Sequence, residues 1–172
     1  MELVDLYDEN RMPLGKTAGR YSRKGAGEYR TVVHICIFNS RRQLLIQRRS
    51  MQKAACPGLW DVSAAGGVDA GETSRQGAER ECREELGYAL DLTGVRASVT
   101  VNFDRGFDDF FIVKRDVELS GLKLQTEEVS EVRWASLEEV RDLLHQEKFI
   151  AYPESFLHFL FDMQDTFGFV TK

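Results

Sequence analysis

The 172-residue sequence holds only three cysteines, Cys36, Cys56 and Cys82, too few and odd in number for a disulfide framework. No Cys-x-x-Cys and no close Cys/His pair occurs, which excludes the common zinc sites, so the three are read as free thiols in a reducing compartment. Prolines are equally few (Pro13, Pro57 and Pro153), and there is no repeat, low-complexity tract or linker, so residues 1–172 read as one domain. No apolar run reaches bilayer-spanning length; the best, residues 32–38, is interrupted by His34. The first residues show no basic stretch leading into an apolar one, so no secretory signal is expected and a cytoplasmic location is. An excess of positive charge is also missing. With 28 acidic against 23 basic residues the net charge is −5, a poor match to nucleic acid or an anionic membrane as partner. An acidic chain still binds a small anionic ligand when bound cations supply the positive charge.

What is present is ordinary for a globular protein: 42% hydrophobic and 30% charged residues. Residues 2–8 suggest a short strand and 9–15 a turn; residues 15–27, polar and carrying Gly15, Gly19, Gly25 and Gly27, suggest a mobile loop or hairpin. Residues 1–28 thus form an N-terminal extension. Residues 31–38 are β-branched and almost continuously apolar, as in a strand covered on both faces. A turn at 39–42 leads to a second strand at 43–49 and a short third at 60–65, with further strands expected at 95–103, 107–118 and 129–134. Helices are expected at 73–86, 136–146 and 154–167. Thr73 with Gln76, and Ser136 with Glu139, fit capping boxes, and Gly87 fits a left-handed helix end. Strands mixed with helices predict an α/β fold, with helices on both faces of a mixed sheet.

The helix at 73–86 is more acidic on one side than packing requires. Glu81, Glu84 and Glu85 fall within roughly a 100° arc. Like-charge pairs such as Glu81/Glu85 cost a helix a few tenths of a kcal/mol, and Gly77 costs about 1 kcal/mol more. On these residues alone a solvated acidic face competes evenly with a site for a hard divalent cation, whose preferred ligands are carboxylate oxygens. Arg80, four residues before Glu84, is placed to orient or screen a carboxylate. The preceding loop carries Gly66, Gly67, Gly71 and Glu72, and glycine lets a backbone approach a metal or phosphate closely. Together the residues spell Gly66-x5-Glu72-x7-Arg80-Glu81-Cys82-x-Glu84-Glu85-x-Gly87-Tyr88. This resembles the Nudix box, G-x5-E-x7-R-E-U-x-E-E-x-G-U with U a bulky apolar residue. The seven fixed positions all match, an agreement expected by chance on the order of 10⁻⁸ per starting position. Cys82 and Tyr88 are loose matches at the U positions. The resemblance covers residues 66–88 closely and, through the strand order, residues 31–144 more weakly.

The resemblance implies an α/β/α sandwich around a mixed β-sheet and a hydrolase that cleaves a diphosphate linkage in a nucleoside diphosphate derivative or similar metabolite, with Mg²⁺ or Mn²⁺. By position, Glu81 and Glu85 become the principal metal ligands, Glu84 a further ligand or a base, and the Gly66 carbonyl an added donor. Glu72 with Arg80 would hold the loop to the helix and orient the catalytic carboxylates, with Gly87 closing the helix. The family's general base lies in the box or on a later loop, where Glu127 and Glu128 are candidates, although isolated acids are more often plain surface. Arg48, Arg49 and Lys53 could grip the diphosphate or form a solvated basic hairpin. Trp60, Phe103 and Phe107 could stack on a base, though aromatics are more often core. The oligomeric state is left open, a homodimer included. Residues 44–60 also resemble the Nudix-type isopentenyl-diphosphate isomerases. That family uses a cysteine just before the box glycine and a histidine just after it; here the residues are Ala65 and Gly67, and Cys56 lies too far upstream to substitute. A non-catalytic binding module is disfavoured because no box carboxylate is lost. Substrate selectivity is expected in the loops at 15–27 and 102–107.

Overall fold

The most apolar segment of the chain becomes the centre of the molecule. In a computed structural model that describes residues 2–23, 25–167 and 170–171, the strands are β1 (Leu3–Tyr7), β2 (Pro13–Gly19), β3 (Arg30–Phe38), β4 (Leu44–Arg49), β5 (Trp60–Asp61), β6 (Ala64–Gly67), β7 (Val99–Phe103), β8 (Gly106–Lys114) and β9 (Val129–Ala135). The helices are α1 (Ser74–Leu86), α2 (Leu137–His145) and α3 (Glu154–Met163), and a short hairpin of β10 (Thr166–Phe167) and β11 (Val170–Thr171) follows. Strand β3 runs parallel to β8 from Arg30 opposite Gly106 to Phe38 opposite Lys114, and antiparallel to β6 on its other side. Strand β4 touches β3 only at Phe38–Leu44, then diverges to pair with β5 and β9, while β7 closes the far edge against β8. The result is one mixed sheet of seven strands.

Because side chains alternate across a strand, β3 and β8 feed two separate apolar layers. Val33, Ile35, Ile37 and Phe111 pack against Ala78, Cys82 and Leu86 of α1. Cys36, Phe38, Phe110 and Ile112 pack against Val140 of α2 and Leu157, Leu160 and Phe161 of α3. This is the expected sandwich, with helices on both faces of the sheet. All three thiols are free; Cys36 and Cys82 are buried, one in each layer, and burial pushes both up, Cys82 to about 12, so they pack rather than react.

Several boundaries differ from the sequence expectation, each for a local reason. Of the loop and hairpin both open for residues 15–27, the hairpin forms, but its second strand β2 begins at Pro13, inside the turn expected at 9–15, and pairs with β1 with a register shift between Asp5 and Tyr7. Asp8 makes the reversal, its Oδ1 accepting from the N–H groups of Asn10 at 2.9 Å and Met12 at 2.8 Å, with Arg11 at φ 63°. As a polar, largely exposed strand with one partner, β2 has no alternation to reveal it. The single strand expected at 60–65 is two, β5 and β6, which pair with different neighbours. Strand β7 starts at Val99 rather than 95, β8 ends at Lys114 rather than 118, and α3 ends at Met163 rather than 167, where Thr166–Phe167 turn into a hairpin.

On the α3 face a partly buried polar seam runs across the sheet. The imidazole of His34 lies between Asp108 Oδ1 at 3.2 Å and Tyr152 Oη at 3.3 Å, and Tyr152 donates to Asp61 Oδ1 at 3.0 Å. Burial pushes the Asp61 carboxyl up, against the pull of His34, the Val62 N–H, Arg49 and Tyr152. None of this seam was read from the sequence.

Candidate active site

Helix α1 forms where it was expected because its ends are specified. Thr73 Oγ1 accepts from Gln76 N at 3.3 Å, Gln76 Oε1 accepts from Thr73 N at 2.9 Å, and Gly87 closes the helix at φ 66°. A Cβ on Gly87 would come within 2.9 Å of the Lys123 carbonyl oxygen, so the residue is required sterically as well as conformationally. The apolar stripe Ala78, Cys82, Leu86 faces the sheet and fixes the helix rotation, which sends Glu81 and Glu85 inward along β6.

The two carboxylates converge on adjacent residues of that strand. Glu85 Oε2 accepts from Ala65 N at 3.0 Å and Gln47 Nε2 at 2.9 Å. Glu81 packs so tightly on Gly66 that a Cβ there would lie 2.0 Å from its Oε1. Both are buried, at 6% exposure for Glu81 and 3% for Glu85. Burial, reinforced by Glu81, raises the Glu85 carboxyl to about 7. Burial also raises Glu81, although Arg80 and Arg20 pull it down. Glu84, the third acid, is half exposed at the helix surface.

Arg80 ties the loop to the helix. Its Nε donates to both oxygens of Glu72 at 3.0 and 3.1 Å, Nη2 to the Gly67 carbonyl at 2.7 Å, and Nη1 to Glu81 at 2.9 Å and Glu84 at 3.0 Å. Surrounded by carboxylates, its guanidinium is held even more firmly protonated than usual despite burial. Glu72 also accepts from Asp69 N at 3.1 Å. The N-terminal hairpin braces the same loop, with Ala70 N donating to the Leu3 carbonyl and Gly71 N to Asp5 Oδ2, both at 2.8 Å.

The upstream basic residues separate by role. Lys53 pairs with Glu128, and its ammonium also feels Glu85 and Glu81, so it borders the acids. Arg49 is instead a clip: Nε and Nη2 donate to the Ala55 carbonyl at 3.1 and 2.9 Å, and Nη1 lies 3.6 Å from Asp61. Arg48 donates to the Gly58 carbonyl at 3.1 Å and faces Glu131 at 3.8 Å on the surface. Glu128 is brought to the site margin, whereas Glu127 is exposed. Trp60 and Phe107 are core residues, each under an arginine (Arg133 at 5.1 Å and Arg11 at 5.3 Å), and Phe103 is half-buried at the end of β7. Gly67 lies against Arg20, whose Nε would be 3.1 Å from a Cβ there. Gln47 and Arg20 were missed by sequence reasoning, because each reaches the box only through the folded sheet.

Among the described residues no three His, Cys, Asp or Glu side chains form a ready-made metal cage, and Arg80 engages Glu81 and Glu84. The donor set nevertheless fits a hard divalent cation. The two buried carboxyl groups are near enough for Glu81 to help hold the Glu85 carboxyl up, and the adjoining Gln47 Oε1 is buried with no hydrogen-bond partner.

A family model described as NUDIX domain matches residues 28–155. The chain is 48% identical over 165 residues to an uncharacterised Nudix hydrolase of Listeria innocua, covering 96% of each chain. It is 34% identical over 151 residues to the isopentenyl-diphosphate Delta-isomerase of Salmonella heidelberg, covering 81% of this chain and 80% of that one. The crystal structure of DR0079 from Deinococcus radiodurans superposes with a TM-score of 0.71 at 23% identity, over 92% of this chain and 97% of that one, and so shares the fold. With the domain match spanning most of the chain and a close relative matching nearly its whole length, the protein belongs to the Nudix hydrolase family.

Proposed function

We propose that the protein is a divalent-metal-dependent pyrophosphohydrolase acting on a small phosphorylated metabolite, with Mg²⁺ or Mn²⁺ held by Glu81 and Glu85 and assisted by Glu84 and the Gly66 carbonyl. The observation that carries this reading is the convergence of two buried carboxylates on Ala65–Gly66, beside the unpartnered Gln47 Oε1. When bound, the cation offsets the diphosphate's charge and lowers the pKa of an attacking water. The chain's own residues do the rest. Arg80 fixes Glu81 and Glu84 relative to Glu72 and the Gly67 carbonyl, so the acids are positioned before substrate arrives. Lys53 presents a cation to the diphosphate and holds Glu128 at the rim. In the reaction a water oxygen attacks one phosphorus, the anhydride P–O bond breaks with its electron pair leaving on the departing phosphate, and Glu128 is the candidate acceptor of the water's proton.

The isomerase relatives favour a second reading, and two positions weigh against it. Ala65 supplies a methyl group where that chemistry uses a thiol, and Gly67 is covered by Arg20 where it uses an imidazole. The reading is tested by one panel of nucleotide sugars, dinucleotides, nucleoside triphosphates and isopentenyl diphosphate, assayed with Mg²⁺ and with excess chelator. Phosphate released after phosphatase coupling is expected for at least one diphosphate compound with Mg²⁺ and none with chelator, and no dimethylallyl product. Full turnover in chelator would overturn the metal assignment, and dimethylallyl product the choice of hydrolase.

A further inference from the structure

We infer that the cavity between the N-terminal hairpin and the β7–β8 turn is an anion subsite that receives a terminal phosphate of the substrate beyond the scissile diphosphate, so that the enzyme prefers phosphate-ended chains to linkages capped at both ends. The inference deepens the proposed hydrolase function and rests on it.

The cavity has a volume of about 520 Å³, and four arginines, Arg20, Arg23, Arg30 and Arg105, line it against two acids, Glu28 and Asp104, with Arg20 also donating to Glu2 Oε2 at 2.8 Å. That local excess of cations stands out in a chain of net charge −5. One of the two acids is already engaged, as Glu28 accepts from Gly25 N at 2.8 Å and Lys16 Nζ at 3.4 Å. The cations are crowded by the fold itself. Arg30 opens β3 opposite Gly106, and its N–H donates to the Arg105 carbonyl at 3.1 Å, which places the β7–β8 turn over the start of the central strand. Arg20 and Arg23 arrive from the end of β2. Burial and the neighbouring Arg20 hold the Arg30 guanidinium below its usual range, with Arg105 adding to the repulsion. Gathered guanidinium groups with a planar, forked donor geometry suit phosphate oxygens.

Arg20 connects this cavity to the box. Its guanidinium lies over Gly67, next to Gly66, and its charge acts on Glu81. A substrate whose diphosphate is at Glu81 therefore meets the arginines with its next anionic group. Arg20 and Arg23 also precede the matched family domain, which begins at residue 28, so the chain's own extension supplies half of the subsite.

The test uses the full chain and the double variant Arg23→Gln/Arg105→Gln, both exposed positions, with melting temperature as the folding control. In chelator, binding of inorganic tripolyphosphate by calorimetry is expected to weaken at least tenfold in the variant, on the order expected for charge-assisted contacts. With Mg²⁺, KM for a nucleoside triphosphate is expected to rise about tenfold or more, while KM for a dinucleotide joined through a diphosphate stays within about twofold. Equal tripolyphosphate binding by both proteins, or equal KM changes for both substrates, would overturn the inference. Absence of turnover on every compound would instead overturn the hydrolase reading and leave the binding arm decisive for the subsite.

Discussion

Glu85→Gln is expected to lower turnover on the order of 10³-fold while leaving the fold intact. Glutamine keeps the acceptor for Ala65 N and fills the same space, so the hydrogen bonds that seat residue 85 survive. What disappears is the charge, and stability reports it separately from activity. In the folded, metal-free chain this carboxyl keeps its proton up to about pH 7, whereas its ordinary value is 4.5. A raised carboxyl makes the folded state bind the proton more tightly, so this group's contribution to stability is fully present below about pH 4.5 and is lost as pH rises through about 7. The loss amounts to about 3 kcal/mol once the group is charged. Metal-free wild type should therefore lose on the order of 5–10 °C in Tm between pH 5 and pH 8 relative to Glu85→Gln over the same interval. Added Mg²⁺ should recover most of that loss in the wild type and little in the variant. Parallel melting curves for the two proteins across this range would show that the Glu85 environment has been misread.

Gly66→Ala is the second severe substitution, with an expected loss of about 10²-fold or more in kcat. The added Cβ would sit 2.0 Å from Glu81 Oε1 and 2.1 Å from its Cδ. Glu81 must then swing away, and its bond to Arg80 Nη1 goes with it. Gly67→Ala is the control one residue on. There the new atom meets Arg20 Nε at 3.1 Å, a flexible side chain that can withdraw, so kcat should change only a fewfold. Steady-state kinetics on the best panel substrate separate the two; equal losses would mean that the cradle at Gly66 has no special relation to Glu81.

The parts of the molecule legible in the sequence were those encoded locally. Thr73, Gln76 and Gly87 specify the ends of α1 through neighbours a few positions away, and the box acids repeat at helical spacing on that same helix. The almost continuous apolar run of β3, interrupted by His34, likewise announced a strand covered on both faces. What was illegible depends on chain segments that meet only after folding. For Arg49 a grip on diphosphate and a solvated basic hairpin were equally open, and neither reading foresaw its partners, a carbonyl six residues on and Asp61 across a strand pair. Gln47 is unremarkable in a strand until Glu85, 38 residues later, is placed against it. His34 and Tyr152 lie 118 positions apart, and no spacing rule could join them. Residues 15–27 stayed open between loop and hairpin because a polar edge strand such as β2 carries no hydrophobic period, and the position of Arg20 over the box was illegible with it.

The central claim is that Glu81 and Glu85 share one divalent cation, and Mn²⁺ titration followed by electron paramagnetic resonance measures this without any substrate. Wild-type protein should deplete the free Mn²⁺ signal at near-stoichiometric ratio, with Glu81→Gln and Glu85→Gln each weakening binding at least tenfold. Wild-type protein that leaves the free signal untouched, or binding unchanged in both variants, would contradict the account.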